Sequence, residues 1–110
     1  MKNNAQLKHD SICKRVSNEL ETRGWDTLTN KEYSTHCCGE IDVIGYKDNY
    51  VIYVEVKTNL NYKNYKTAKK QLDRARKYCN YHGKKRLFTL IATQKQGEIE
   101  YDWYKFWKCI

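Results

Sequence analysis

A chain of 110 residues has room for one hydrophobic core, and its 40% hydrophobic and 14% aromatic content is that of a globular domain, too rich for a disordered one. The formal net charge of +8 favours a polyanionic partner, nucleic acid or an anionic membrane surface, the plainer reading being lysine enrichment that keeps a small protein soluble. No apolar run approaches the ~20 residues of a membrane-spanning helix, and no signal-like apolar stretch is present near the first residues, so an intracellular protein without a membrane role is expected.

In chain order, residues Asn4 to Arg23 read as an amphipathic helix, because Ala5, His9, Ile12, Val16 and Leu20 recur at helical spacing. Gly24 suits the left-handed position that ends such a helix. Trp25 to Glu32 is expected as a strand and Tyr33 to Gly39 as a polar loop. Glu40 to Lys47 and Tyr50 to Thr58 are rich in Val, Ile and Tyr and flank Asp48-Asn49, which tolerates the positive φ of a two-residue hairpin turn.

With that turn, Asp42 falls opposite Glu55 and Glu40 opposite Lys57. Strand alternation then puts these four on one face and Ile41, Val43, Ile52, Val54 and Val56 on the other. Asn59 to Asn64 is a polar linker. Tyr65 to His82 reads as a second helix with Ala68, Leu72, Ala75, Cys79 and His82 on its apolar stripe, ended by Gly83. Arg86 to Thr93 has the composition of a buried central strand. Gln94 to Gly97 is a turn, Glu98 to Tyr104 a half-buried strand, and Phe106 and Trp107 form an aromatic tail.

The five cysteines include no CxxC pair, which argues against a zinc site, and an odd count fits a closed disulfide framework poorly. His36-Cys37-Cys38 looks metal-like, but adjacent side chains ligate one ion poorly, so buried or loop thiols are expected.

Asp42, Glu55 and Lys57 carry the chemical signal. Two carboxylates facing each other on neighbouring strands repel unless a cation lies between them. Oxygen donors of this kind suit Mg²⁺ or Mn²⁺, which keep waters and take one or two carboxylates with phosphate oxygens. Lys57 projects to the same face and can hold a water or a phosphate. The plainer reading is a solvated sheet face whose ion pairs contribute ~0–1 kcal/mol each. The apolar flanks of both strands weigh against it, since a charged cluster inside a covered hairpin needs a reason.

The segment GEIDVIGYKDNYVIYVEVKT, Gly39 to Thr58, resembles the core motif of the PD-(D/E)XK nuclease superfamily, especially its Holliday-junction-resolvase-like members. The resemblance implies an α/β protein with a restriction-endonuclease-like αβββαβ core, a mixed central sheet flanked by helices, in one domain spanning residues 1–110. It further implies a Mg²⁺- or Mn²⁺-dependent DNA endonuclease, selective for junctions or flaps and working as a homodimer. An exonuclease or nickase of the same chemistry, or a non-catalytic nucleic-acid-binding module, are the alternatives.

Carried over residue by residue, Asp42 and Glu55 would ligate the metal with the carbonyl of Val56, and Lys57 would position the attacking water. Gln71 resembles a helix glutamine that approaches the phosphate or the metal waters, and Glu40 falls on the glutamate of the Gly-Glu-Ile-Asp form. Ile41 replaces the proline of the family name. Cys13 stands where relatives carry a first-helix glutamate, leaving His9 or Glu19 as substitutes.

Positive charge concentrates after the hairpin, with Lys63, Lys66, Lys69, Lys70 and Arg74 expected to draw a phosphate backbone across the metal. Tyr62, Tyr65, Tyr78 and Tyr81 are interleaved with them. No base-reading motif is present, so recognition of shape or backbone is expected.

Overall fold

The computed structural model describes residues 3–33, 39–81 and 85–109. Helix α1 (Asn4–Thr22) starts where the Asn3 side chain accepts a hydrogen bond from the amide of Gln6 at 2.8 Å, an N-cap. Ile12, Cys13, Val16 and Leu20 are buried, whereas Ala5 stays exposed. Gly24 adopts φ +88, the left-handed position expected of it. Strand β1 (Asp26–Tyr33) follows, shifted by one residue from the expected span because Trp25 packs onto the core as part of the bend. Residues 34–38, with the His36-Cys37-Cys38 run, lie outside the described residues. Cys13 and Cys79 are buried, each in the cluster beneath its own helix.

Strands β2 (Gly39–Lys47) and β3 (Tyr50–Val56) form the expected hairpin, with Asp48 at φ 55 in its turn. The pairs from Lys47↔Tyr50 to Val43↔Val54 follow the register read from the sequence. The ladder ends there, so the expected rungs Asp42–Glu55 and Glu40–Lys57 are not part of it. The reason is a side chain: the amide of Val56 donates to Asp42 Oδ2 at 2.8 Å.

Alternation breaks at the same place. Val43, Ile52, Val54 and Val56 pack toward α1 as expected, but Ile41 joins Ile44, Val51 and Tyr53 in the cluster under the second helix. In the neighbouring strand Asn30, at φ 53, is skipped between the pairs Thr29↔Val43 and Lys31↔Ile41. Both strands are therefore kinked beside Asp42.

Helix α2 (Tyr62–Tyr81) begins earlier than expected because Asn61 caps it, its side chain accepting from the amide of Asn64 at 2.8 Å. Ala68, Leu72, Ala75 and Cys79 form its buried stripe. His82 and Gly83 lie outside the described residues. Strand β4 (Lys85–Lys95) runs parallel to β3, and Gln96 and Gly97, both at positive φ, turn the chain into β5 (Glu98–Cys109). The expected aromatic tail is thus the second half of an edge strand. A register shift between Phe88 and Leu90, with Thr89 Oγ1 donating to the Lys105 carbonyl at 2.8 Å, puts Trp103 and Phe106 on the same side.

The five strands lie in the order β1-β2-β3-β4-β5, one mixed sheet with α1 on one face and α2 on the other. This is an α/β architecture compatible with the αβββαβ core expected, extended by β5.

At Gly45 the sheet is packed closely by Leu20 of α1, Trp25 and Ile52. A Cβ there would meet Ile52 Cγ2 at 2.9 Å, Trp25 Cε3 at 3.2 Å and Leu20 Cδ1 at 3.3 Å. Overpacking of this kind costs about 1–3 kcal/mol. Gly45→Ala should therefore lower the urea midpoint without changing the slope of the transition, as measured by equilibrium denaturation followed by circular dichroism.

Candidate functional site

Where β2 parts from β3, a solvent-open cleft of about 760 Å³ lies between the N-terminal half of α1 and the first turns of α2. His9, Asp42, Glu55, Lys57, Gln71 and Arg74 line it. Val56 and Glu40 also border it, so the hairpin residues singled out from the sequence converge on one cleft.

Asp42 is 7% exposed, its Oδ2 taken by the Val56 amide and lying 3.4 Å from His9 Nε2. Glu55 is 2% exposed, and its Oε1 is buried without a hydrogen-bond partner. Burial first, and the charge of Asp42 second, push the Glu55 carboxyl up to about 9, against the pull of Lys57. Glu40 is exposed at the cleft rim, and partial desolvation, with the charge of Asp42 next, raises its carboxyl from the ordinary value. The hydrogen bond to Asp42, and next the contact of His9 Nδ1 with Cys13 Sγ at 3.7 Å, hold His9 charged up to about 10, although burial opposes them.

The structure sorts the remaining candidates. Gln71 is half-buried in the cleft wall, and its Oε1 also lacks a hydrogen-bond partner. Of the basic residues on α2, Arg74 borders the cleft. Lys63, Lys66 and Lys70 are exposed; the Lys66 ammonium lies 5.7 Å from the Tyr62 ring, and half-buried Lys69 lies 4.8 Å from that of Tyr65. Glu19 does not join the site: the hydroxyl of Tyr101 donates to its carboxylate, and at ~1.5 Å per residue it lies about 15 Å further along α1 than His9. Among the described residues Glu40 and Lys57 form no ion pair with each other; Asp42 and Asp10 are the carboxylates near His9. Asn3, Gln6 and Asn64 border the cleft without having been singled out. Short polar residues at helix starts read first as caps, which Asn3 indeed is.

The buried carboxylates of Asp42 and Glu55, the latter with an unpartnered oxygen, are among the oxygen donors this cleft offers a cation, beside the Glu40 carboxylate at its rim, Gln71 Oε1 and the backbone at Val56. Among the described residues no group of three or more His, Cys, Asp or Glu side chains gathers closely enough to hold a metal by itself. A hard ion that keeps its own waters is the kind that two carboxylates suit.

Fold and site together define a mixed α/β domain with a buried carboxylate pair at a split in its central hairpin. The chain belongs to the uncharacterised protein family UPF0102, whose model matches residues 14–99. The match starts just after Cys13, so His9 lies outside it. No curated protein matches the sequence. Among solved structures the chain is similar to a protein of unknown function, AF1548, with a TM-score of 0.57 and 20% identity over 81% of this chain. The chain spans 50% of the length of that protein, and the likeness concerns the fold alone.

Between the ordinary carboxylate range and about 9 the folded chain keeps a proton on Glu55 that the unfolded chain has released. More protons bound by the folded state mean that stability falls as pH rises through this window. Glu55→Gln removes that dependence. In the absence of divalent metal it should be more stable than the wild type at pH 8 by at least about 1 kcal/mol, and nearly equal to it at pH 4. Denaturant melts at the two pH values decide this.

Proposed function

We propose that this protein is a metal-dependent nuclease that hydrolyses phosphodiester bonds in DNA. The observation that carries the reading is Glu55: a carboxylate buried beside Asp42, with an oxygen left without a partner, at the floor of a cleft open to solvent. Such a pair is destabilising unless a cation compensates it. The resemblance of Gly39–Thr58 to a nuclease core motif supports the same residues.

Asp42 and Glu55, with the Val56 carbonyl, would hold Mg²⁺ or Mn²⁺, which when bound supplies an acidified water and neutralises charge on the phosphate. The Val56 amide fixes the orientation of the Asp42 carboxylate. Lys57 lines the same cleft and would hold the attacking water and offset charge that develops on the phosphate oxygens. The Gln71 amide can donate to the phosphate. Arg74, and beyond it Lys63, Lys66, Lys69 and Lys70, give the backbone a basic track. In the step itself the water oxygen bonds to phosphorus, and the bond to the departing sugar oxygen breaks. Among the described residues no base-reading element borders the cleft, so selection by DNA structure, at junctions or flaps, fits better than selection by sequence. As a homodimer, the protein would present two clefts to two strands.

The His9–Asp42 contact favours a second reading, a non-catalytic nucleic-acid-binding module. There the imidazolium stands in for the metal and holds Asp42 as a structural ion pair. A cleavage assay with a four-way junction, a flap, a linear duplex and a single strand, with and without Mg²⁺, separates the two. Cleavage that needs metal and falls about 100-fold or more in Asp42→Ala and in Lys57→Ala is expected. Metal-independent cleavage indifferent to Asp42 would overturn the assignment. Junction binding without cleavage in either Mg²⁺ or Mn²⁺ would establish the second reading.

A further inference from the structure

On the side of the sheet that faces α1, aromatic rings extend beyond the helix. Tyr50 stacks on Phe88 with centroids 5.7 Å apart and planes 22° from parallel. Phe88 in turn meets Trp103 edge-on at 5.6 Å and Phe106 at 4.8 Å. Trp103 is 64% exposed and Phe106 48%, so the outer rings of this cluster face solvent. Beside Trp103 runs a groove of about 270 Å³, with Leu20, Ile52 and Leu90 as its floor and Trp25 and Arg23 along its length. Glu19 and Tyr101, which also border it, bond to each other.

Cations surround this apolar surface. The Arg86 guanidinium lies 5.8 Å from the Tyr50 ring and donates to its hydroxyl at 3.3 Å. Lys108 is the register partner of Arg86, two residues beyond Phe106. The Lys47 ammonium lies 6.0 Å from the Trp25 ring and donates to the Arg23 carbonyl at 2.9 Å.

The identity of the occupant follows from the charge. A second copy joined by a two-fold axis would bring this set of cations against itself, which like-charge repulsion disfavours. A neutral apolar partner would desolvate the same cations with nothing to pair them. A single-stranded nucleic acid satisfies both halves of the surface, since its bases stack on rings and its phosphates meet the cations. A duplex hides its base faces and gains only the electrostatic half.

We propose that this face is a stacking platform for unpaired bases of a single-stranded nucleic acid, with Trp103, Phe106 and Trp25 as ring surfaces and Arg23, Arg86 and Lys108 as phosphate contacts. It shares no lining residue with the cleft. Through β4, Trp103 is level with Val54, Phe106 with Ile52, and Arg86 and Lys108 with Tyr50, so the platform extends along β3 to about 17 Å from Glu55 at ~3.3 Å per residue.

The test is a fluorescence-anisotropy titration in EDTA, using labelled oligothymidylate of about 15 nucleotides and a duplex of the same length. Wild type is compared with Trp103→Ala/Phe106→Ala, whose exposed side chains leave the fold intact, as thermal melting checks. The double variant should lose about tenfold or more of its affinity for the single strand, while duplex binding stays within about twofold. Wild-type tryptophan emission should be quenched by the single strand, and less so in the variant. Unchanged single-strand affinity overturns the proposal, as does equal loss on both probes. A dimer that the double substitution dissociates without affecting single-strand binding overturns it too, and assigns the face to self-association. Because the titration reads binding without metal, an inactive cleft leaves its outcome untouched, and the two proposals fail separately.

Discussion

Two carboxylates buried side by side constrain everything around the cleft. A carboxylate in a low-dielectric interior needs donors, and the fold supplies Asp42 with two, the Val56 amide and the His9 ring. Giving the Val56 amide to a side chain takes it out of the β2–β3 ladder, so the hairpin opens beyond Val43↔Val54. Bringing His9 to Asp42 requires α1 to lie along the sheet at a fixed offset. Packing of Ile12, Val16 and Leu20 with Val43, Val54 and Val56 sets that offset. The geometry of the cleft and the packing of the core are one arrangement here, since neither the helix nor the hairpin can move without unpairing Asp42.

Beyond the opening, β3 is held from its other side. The Lys57 amide bonds to the Ala92 carbonyl of β4, so the strand keeps its direction after it has left β2. Glu55 and Lys57 are therefore fixed by the parallel β3–β4 pair, and Asp42 by β2 and α1. The cleft is a fork between two separately anchored strands. Asn30 in the left-handed region accommodates the same bend in β1.

Which parts of this could be read from residues follows from where the backbone is regular. The hairpin register was legible because a two-residue turn at Asp48-Asn49 leaves one pairing, and five consecutive pairs obey it. The facing of Ile41 was not, because period-two alternation assumes an unbroken ladder and no glycine or proline marks the kink. For the same reason the side shared by Trp103 and Phe106 is not legible: they are three residues apart, a spacing that alternation separates and a bulge reunites. The start of α2 was obscured by Asn59, Asn61 and Asn64, each a plausible cap, of which Asn61 takes the role. His9 lies on the inward stripe of α1 and Glu19 beside it. Spacing alone does not choose between them, since the choice depends on which end of the helix lies over the fork.

A net charge of +8 means little as a total, but its placement on this fold is informative. The cations of α2 accompany the cleft, while Arg23, Arg86 and Lys108 accompany the exposed rings on the α1 face of the sheet, which run from the level of Val54 toward that of Tyr50. On the two readings proposed above, one nucleic acid that engages both must pass the end or edge of the sheet within about 17 Å along β3. Duplex DNA, with a persistence length of about 150 base pairs, resists so sharp a path. An unpaired strand, or a duplex that opens into one, does not. The two surfaces taken together therefore favour a substrate in which paired and unpaired segments meet, a preference that neither surface specifies alone.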